Sequence, residues 1–172
     1  MEDAVFSKMI DRMDAFPGAL AALLAVVNDD AHWNPPHGGW SIVEIINHLV
    51  DEESEDFRTR VRMTLEDPSQ SWPPIDPEGA AIKRRYNDRE LGASLDRFAS
   101  ARAESLVWLR SLREPDWTKT HTHPKWGEFR AGDIFASWCA HDALHLRQIA
   151  RRLYELAQRD GAGYETAYAG DW

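Results

Sequence analysis

The chain has 172 residues, 43% of them apolar and 28% charged, one domain's length with enough apolar side chains for a core without staples. Twenty basic against 29 acidic residues leave a net charge of -9, the wrong sign for wrapping nucleic acid or an anionic membrane. Cys139 is the single cysteine, Met1 leads into Glu2 and Asp3 rather than into a signal peptide, and no stretch approaches the ~20 apolar residues that cross a bilayer. A cytoplasmic protein without nucleic-acid or membrane partners is the expectation.

Patterns at helical spacing dominate, and they predict an all-α fold of four helices. The first carries Phe6, Met9, Met13, Phe16, Leu20, Leu23 and Val27 on one stripe. Pro17 lacks the N–H for an intrahelical bond, so a kink or restart is expected near Phe16. Asn34-Pro35-Pro36-His37-Gly38-Gly39 then breaks the chain, and Ser41 with Glu44 reads as a capping box opening a second helix, about 41–67. Its inward stripe is Ile42, Ile46, Leu49, Glu53, Phe57, Val61 and Thr64, with His48 on the edge.

A connection of roughly twenty residues follows, holding Pro68, Pro73, Pro74 and Pro77, far longer than antiparallel neighbours need. Extended, it reaches about 65 Å against the ~40 Å of the helix before it. It can therefore return along the whole bundle as a crossover, which makes helices two and three parallel and the order up-down-down-up. The third helix, about 88–113, shows Leu91, Leu95, Phe98, Arg102, Leu106, Leu109 and Leu112. His121 and His123, beside Pro124 and Gly127, read as solvated loop histidines, with lining a pocket or binding adventitious metal as the alternative. The fourth helix, about 131–158, shows Ile134, Trp138, His141, His145, Ile149, Leu153 and Leu156. The bundle is expected over 1–158 and a Gly-rich, aromatic-spotted tail over 159–172.

Polar residues on buried stripes need partners, since burying one alone costs about 1–3 kcal/mol. His141 and His145 are four apart on one helix, about 40° around the axis and ~6 Å along it, so both imidazoles can reach one point. With His48 from the second helix, three nitrogens could meet at a divalent metal and leave coordination positions open. The same histidines could instead be core residues bonded to carbonyls or to Glu53 and Asp142. Cys139 lies about 200° around the helix from His141, off that point. Glu53 and Arg102 are expected to pair with each other or with Asp142, either as a buried ion pair or with Arg102 left to anchor an anionic substrate.

Three segments stand in order: Trp40-Ser41-Ile42-Val43-Glu44-Ile45-Ile46-Asn47-His48-Leu49 with Asp51 and Glu53, then Lys125-Trp126-Gly127, then Trp138-Cys139-Ala140-His141-Asp142-Ala143-Leu144-His145-Leu146-Arg147-Gln148-Ile149. In these segments the chain resembles the DinB-like superfamily of metal-binding four-helix bundles. Arg130 departs from it, standing where relatives often carry a threonine that opens the last helix; Asp133 can still favour that positive helix end. The resemblance implies an up-down-down-up bundle with zinc or nickel held by His48, His141 and His145. It also implies either a thiol-dependent transferase or isomerase using a low-molecular-weight thiol, or a hydrolase, acting on a small electrophilic substrate. Asp142 would then orient the ligands, with Arg102 and Glu53 as further supports. The alternative is a non-catalytic metal- or ligand-binding stress bundle, and a homodimer stays open as the assembly.

Overall fold

The computed structural model describes residues 1–170; residues 171 and 172 of the expected tail lie outside the described residues. Its elements are α1 (Asp3–Leu24), α2 (Ile42–Asp51), α3 (Arg58–Glu66), α4 (Pro77–Lys83), α5 (Leu91–Ser111), β1 (Thr120–His123), β2 (Gly127–Arg130) and α6 (Ala131–Asp160). A π-helical turn, Glu52–Phe57, joins α2 to α3, so the predicted second helix is one rod with an extra residue wound into its middle. The capping box is present: Ser41 Oγ accepts from Glu44 N at 3.2 Å while Ser41 N donates to the Glu44 carboxylate at 2.7 Å.

Side-chain pairings give the directions. Along α5 and the α2–α3 rod the partners advance together, Ser94 with Asn47, Arg102 with Glu53 and Arg58 with Glu104, so the two run parallel. Against α6 the rod runs antiparallel, since His48 meets His145 whereas Phe57 meets Trp138. Phe6 packs on Phe135 and Asp30 pairs with Arg159, which makes α1 parallel to α6. The order is up-down-down-up.

The apolar core falls into two clusters. One gathers Leu20, Leu24, Ile42, Ile45, Ile46, Leu49, Phe98 and Ile149; the other gathers Ile10, Met13, Val61, Leu106, Leu109, Phe135 and Trp138. Along the α2–α3 rod, α5 and α6 the residues between these sets are polar and buried: Glu53, Arg102 and Asp142.

Three expectations are corrected. α1 runs through Pro17 without restarting, because the carbonyl that the missing N–H would have bonded, Met13 O, accepts from Arg102 Nη1 at 2.9 Å. The crossover is not merely extended: Asp76 caps a short α4 with Pro77 at its start, as a proline tolerates in a first helical turn. His121 and His123 lie on β1, which pairs antiparallel with β2, and His121 is buried rather than solvated. The chain leading into this hairpin holds the start of α6, since Lys119 O and Trp117 O accept from Ala131 N and Gly132 N at 2.8 and 3.0 Å. Asp133 accepts from Arg130 N at 3.1 Å, so this end is satisfied without a threonine. α6 continues to Asp160, after which Thr166 Oγ1 accepts from Gln158 at 3.0 Å. No helix among the described residues is long and apolar enough to cross a membrane.

Candidate metal centre

Antiparallel packing of α2 on α6 brings His48 against the His141–His145 pair. The ring centroids lie 5.5 Å apart for His48 and His141, 4.7 Å for His48 and His145, and 4.2 Å for His141 and His145. One ligand atom from each falls within 4.8 Å of the others. Trp40 packs on His48 and Phe57 on His141, giving the cluster aromatic walls.

Burial sets the charge state. It lowers His48 from its ordinary 6.5 to about 3, helped by the neighbouring His145 and His141. His141 is lowered to about 3 by burial, then by His145 and Arg102, and burial also lowers His145. Neutral imidazoles are the form that ligates a metal. His145 Nδ1 lies 2.8 Å from Gln148 Oε1, so Nδ1 carries the proton and Nε2 keeps its lone pair. That Nε2 is 3.0 Å from His141 Nε2. On the far side of His48, the Glu52 carboxylate lies 3.7 Å from Nδ1. Three neutral nitrogens lying close together, with His145 held from behind by Gln148, fit a divalent ion with coordination positions left over.

The charged layer beside the cluster is fully paired. Arg102, 1% exposed, donates from Nε to Glu53 at 2.7 Å, from Nη1 and Nη2 to the two Asp142 oxygens at 2.8 Å each, and from Nη1 to Met13 O. Trp138 Nε1 donates to the other Glu53 oxygen at 2.9 Å. Every nitrogen of Arg102 is therefore engaged by protein. Asp142 holds Arg102 rather than an imidazole. Cys139 is a packed thiol whose pKa burial pushes up to about 12.

Sequence periodicity missed Glu52, Asp56 and Gln148. Glu52 and Asp56 are buried because the π turn brings both inward along with Glu53. Glu52 is pushed up to about 8 by burial and by its hydrogen bond with Asp56, while Arg60 pairs with Asp56. A run as acidic as Asp51-Glu52-Glu53 on a buried rod was the available signal. His121 and His123 stand apart from the triad on β1, and His32 and His37 bond to Asn87 O and Glu155.

Two cavities reach the triad. One of about 610 Å³ is lined by His48, Glu52 and Thr59 on the rod and by Pro74, Lys83 and Tyr86 on the crossover. Another of about 450 Å³ is lined by Trp40, Glu44, His145 and Gln148. α4 walls both, with Gly79, Ala80 and Lys83 toward the first and Glu78, Ala81 and Ile82 toward the second.

An up-down-down-up bundle with three clustered histidines between two of its helices defines a class of helical proteins built around a candidate metal centre. A family profile of the DinB superfamily matches residues 12–149, and the chain belongs to that superfamily. It is 24% identical over 147 residues to a protein of Oceanobacillus iheyensis that bears the name "Putative metal-dependent hydrolase OB0782", the match covering 84% of each chain. Its fold is similar to that of YfiT from Bacillus subtilis, described as "a probable metal-dependent hydrolase with an unusual four-helix bundle topology". The TM-score is 0.78 at 19% identity, over 94% of this chain and 90% of that one.

Proposed function

We propose that the protein is a metal-dependent hydrolase of small molecules, with a divalent ion, zinc or nickel, held by His48, His141 and His145. The observation that carries this is the triad: three imidazoles kept unprotonated, His48 and His145 buried and His141 partly so, with nitrogens within 4.8 Å of one another. The names of the Oceanobacillus and Bacillus relatives point the same way. A divalent ion supplies Lewis-acid chemistry there, lowering the pKa of a nucleophile and polarising an electrophile. The chain's own part is to bind and orient. Gln148 fixes the tautomer of His145, and Trp40 and Phe57 keep the imidazoles shielded. The cavity beside His48 receives the substrate. Arg102, Glu53 and Asp142 act as positioning residues that hold the two ligand-bearing helices at a fixed distance.

The second cavity, beside His145, favours one further reading: room for a low-molecular-weight thiol as cosubstrate, which would make the reaction a thiol transfer or isomerisation. Metal analysis of tag-free protein tests the centre, with stoichiometric divalent metal expected and its tight binding abolished by His145→Ala. Full metal retention in that variant would overturn the assignment. Turnover of ester, amide and epoxide substrates without added thiol supports hydrolysis; turnover only with thiol supports transfer. Metal bound with no turnover in either condition supports a non-catalytic binding bundle.

A further inference from the structure

Where α3 ends and α6 begins, β1 and the chain after Glu66 line an open cavity of about 470 Å³. That is many times the ~30 Å³ of one water and within the range of small-molecule sites. Trp72, His121 and His123 line it together with Ser69, Ser71 and Thr122, and no Asp, Glu, Lys or Arg does.

Two of these side chains carry polar atoms that nothing in the protein satisfies. His121 is 4% exposed. Its Nδ1 lies 2.9 Å from Pro68 O, which fixes the proton on Nδ1 and leaves Nε2 as an acceptor. That Nε2 is buried and has no partner, and neither has the buried Trp72 Nε1–H. The rings stack at 4.0 Å and 20°, which holds one acceptor and one donor in near-parallel planes. With His121 on the indole face and the Arg60 guanidinium 4.9 Å from its centre, Trp72 has its edge to offer rather than a face. His123 takes no share in pairing His121: its Nδ1 accepts from Lys125 N and Trp126 N at 3.1 and 3.2 Å. Buried polar groups are nearly always bonded, so an unpaired donor and acceptor side by side call for an occupant.

We infer that this cavity binds a small neutral molecule presenting an N–H and a C=O on one edge, as a lactam, cis-amide or ureide does. The ligand N–H donates to His121 Nε2 and its carbonyl accepts from Trp72 Nε1–H. Neutrality follows from a lining without charged side chains, the nearby Arg60 being paired with Asp56, and the edge-on mode from the covered indole face.

The test uses the full-length, metal-loaded, ¹⁵N-labelled protein titrated with 2-pyrrolidinone and, separately, with N-methyl-2-pyrrolidinone, which lacks the donor. The lactam should move the Trp72 indole and His121 imidazole resonances saturably, and the N-methyl compound should not. His121→Phe, which keeps a ring against Trp72, and Trp72→Phe, which keeps a ring against His121, should each weaken lactam binding about tenfold, the loss of one hydrogen bond. Absence of a saturable shift overturns the inference, as does an equal response to both compounds. So does a bridging water that the lactam leaves in place. The comparison of the two compounds on the unaltered protein decides the matter even if a variant fails to fold.

Discussion

The three imidazoles should leave a signature in acid. His48 and His141 titrate near 3 in the folded chain and near 6.5 unfolded, so between those values the unfolded chain takes up protons that the folded chain refuses. Stability from these groups is present above pH ~6.5 and is lost as pH falls toward ~3. Glu52 works in the opposite sense: raised from 4.5 to about 8, it holds a proton in the folded state that the unfolded state has released, so acidification favours folding across that window. Urea midpoints of the metal-free protein between pH 7 and 5 should therefore fall less steeply in His48→Leu and more steeply in Glu52→Gln. Unchanged slopes would show that these groups are not buried in the protonation states described. Arg102 and Glu53 provide a second test at this scale. Removing either alone strands a buried charge at a cost of about 3–5 kcal/mol, whereas replacing both leaves only Asp142 without its partner and so costs less than the two single losses added together. A denaturation cycle over Arg102→Met and Glu53→Leu should show strong coupling, and additive losses would mean that the 2.7 Å contact contributes nothing.

At the level of the element, two departures from regular helix serve the same buried layer. The π turn supplies an extra residue, so Glu53 faces Arg102 while Glu52 stays beside His48. Pro17 sits inside α1, where a proline normally costs ~3 kcal/mol, and the Met13 carbonyl it leaves unbonded accepts from Arg102. Pro17→Ala restores an N–H that competes for that carbonyl. It should thus stabilise the protein less than helix propensity alone predicts, and stabilise it more when Arg102→Met has already vacated the carbonyl. Equal effects in the two backgrounds, measured by urea denaturation, would break the link between the proline and the guanidinium. Neither departure was legible in the sequence in full. Pro17 signalled trouble in α1, but which group would use the freed carbonyl depends on α5, about 85 residues away in sequence, and such pairings carry no local signal. The acidic run beginning at Asp51 likewise hides its π turn, because a stripe stepping by three and four reads as ordinary helix.

Topology was more legible than chemistry at the scale of the whole molecule. Four apolar stripes and one connection too long for neighbouring antiparallel helices suffice to order the bundle, and the His141–His145 spacing with His48 suffices to place the triad. The hairpin escaped notice because Thr120–His123 and Gly127–Arg130 are short, polar strands without apolar alternation. The short helix of the crossover escaped because prolines around it read as extended chain, although Asp76-Pro77 is a helix start. That crossover is where global and local stability separate. Arg84 holds it to the rod by pairing with Asp51 and, at 2.8 and 2.9 Å, with Glu55, and Tyr86 donates to Asp51. The Arg84 side chain is 37% exposed, and surface ion pairs of that kind contribute about 0–1 kcal/mol. Global unfolding should therefore barely register Arg84→Met. α4, however, is seven residues long, too short to persist by itself, and it walls both cavities that reach the triad. Its opening depends on those few fastenings and not on the bundle core. Amide exchange over Gly79–Lys83 should accelerate in Arg84→Met while α5 and α6 keep their protection, and bound metal should exchange faster with a chelator. Raising the unaltered protein to about 1 M salt should reproduce part of the effect by screening the same pairs. Uniform loss of protection across the bundle would show instead that the crossover and the core open as one unit.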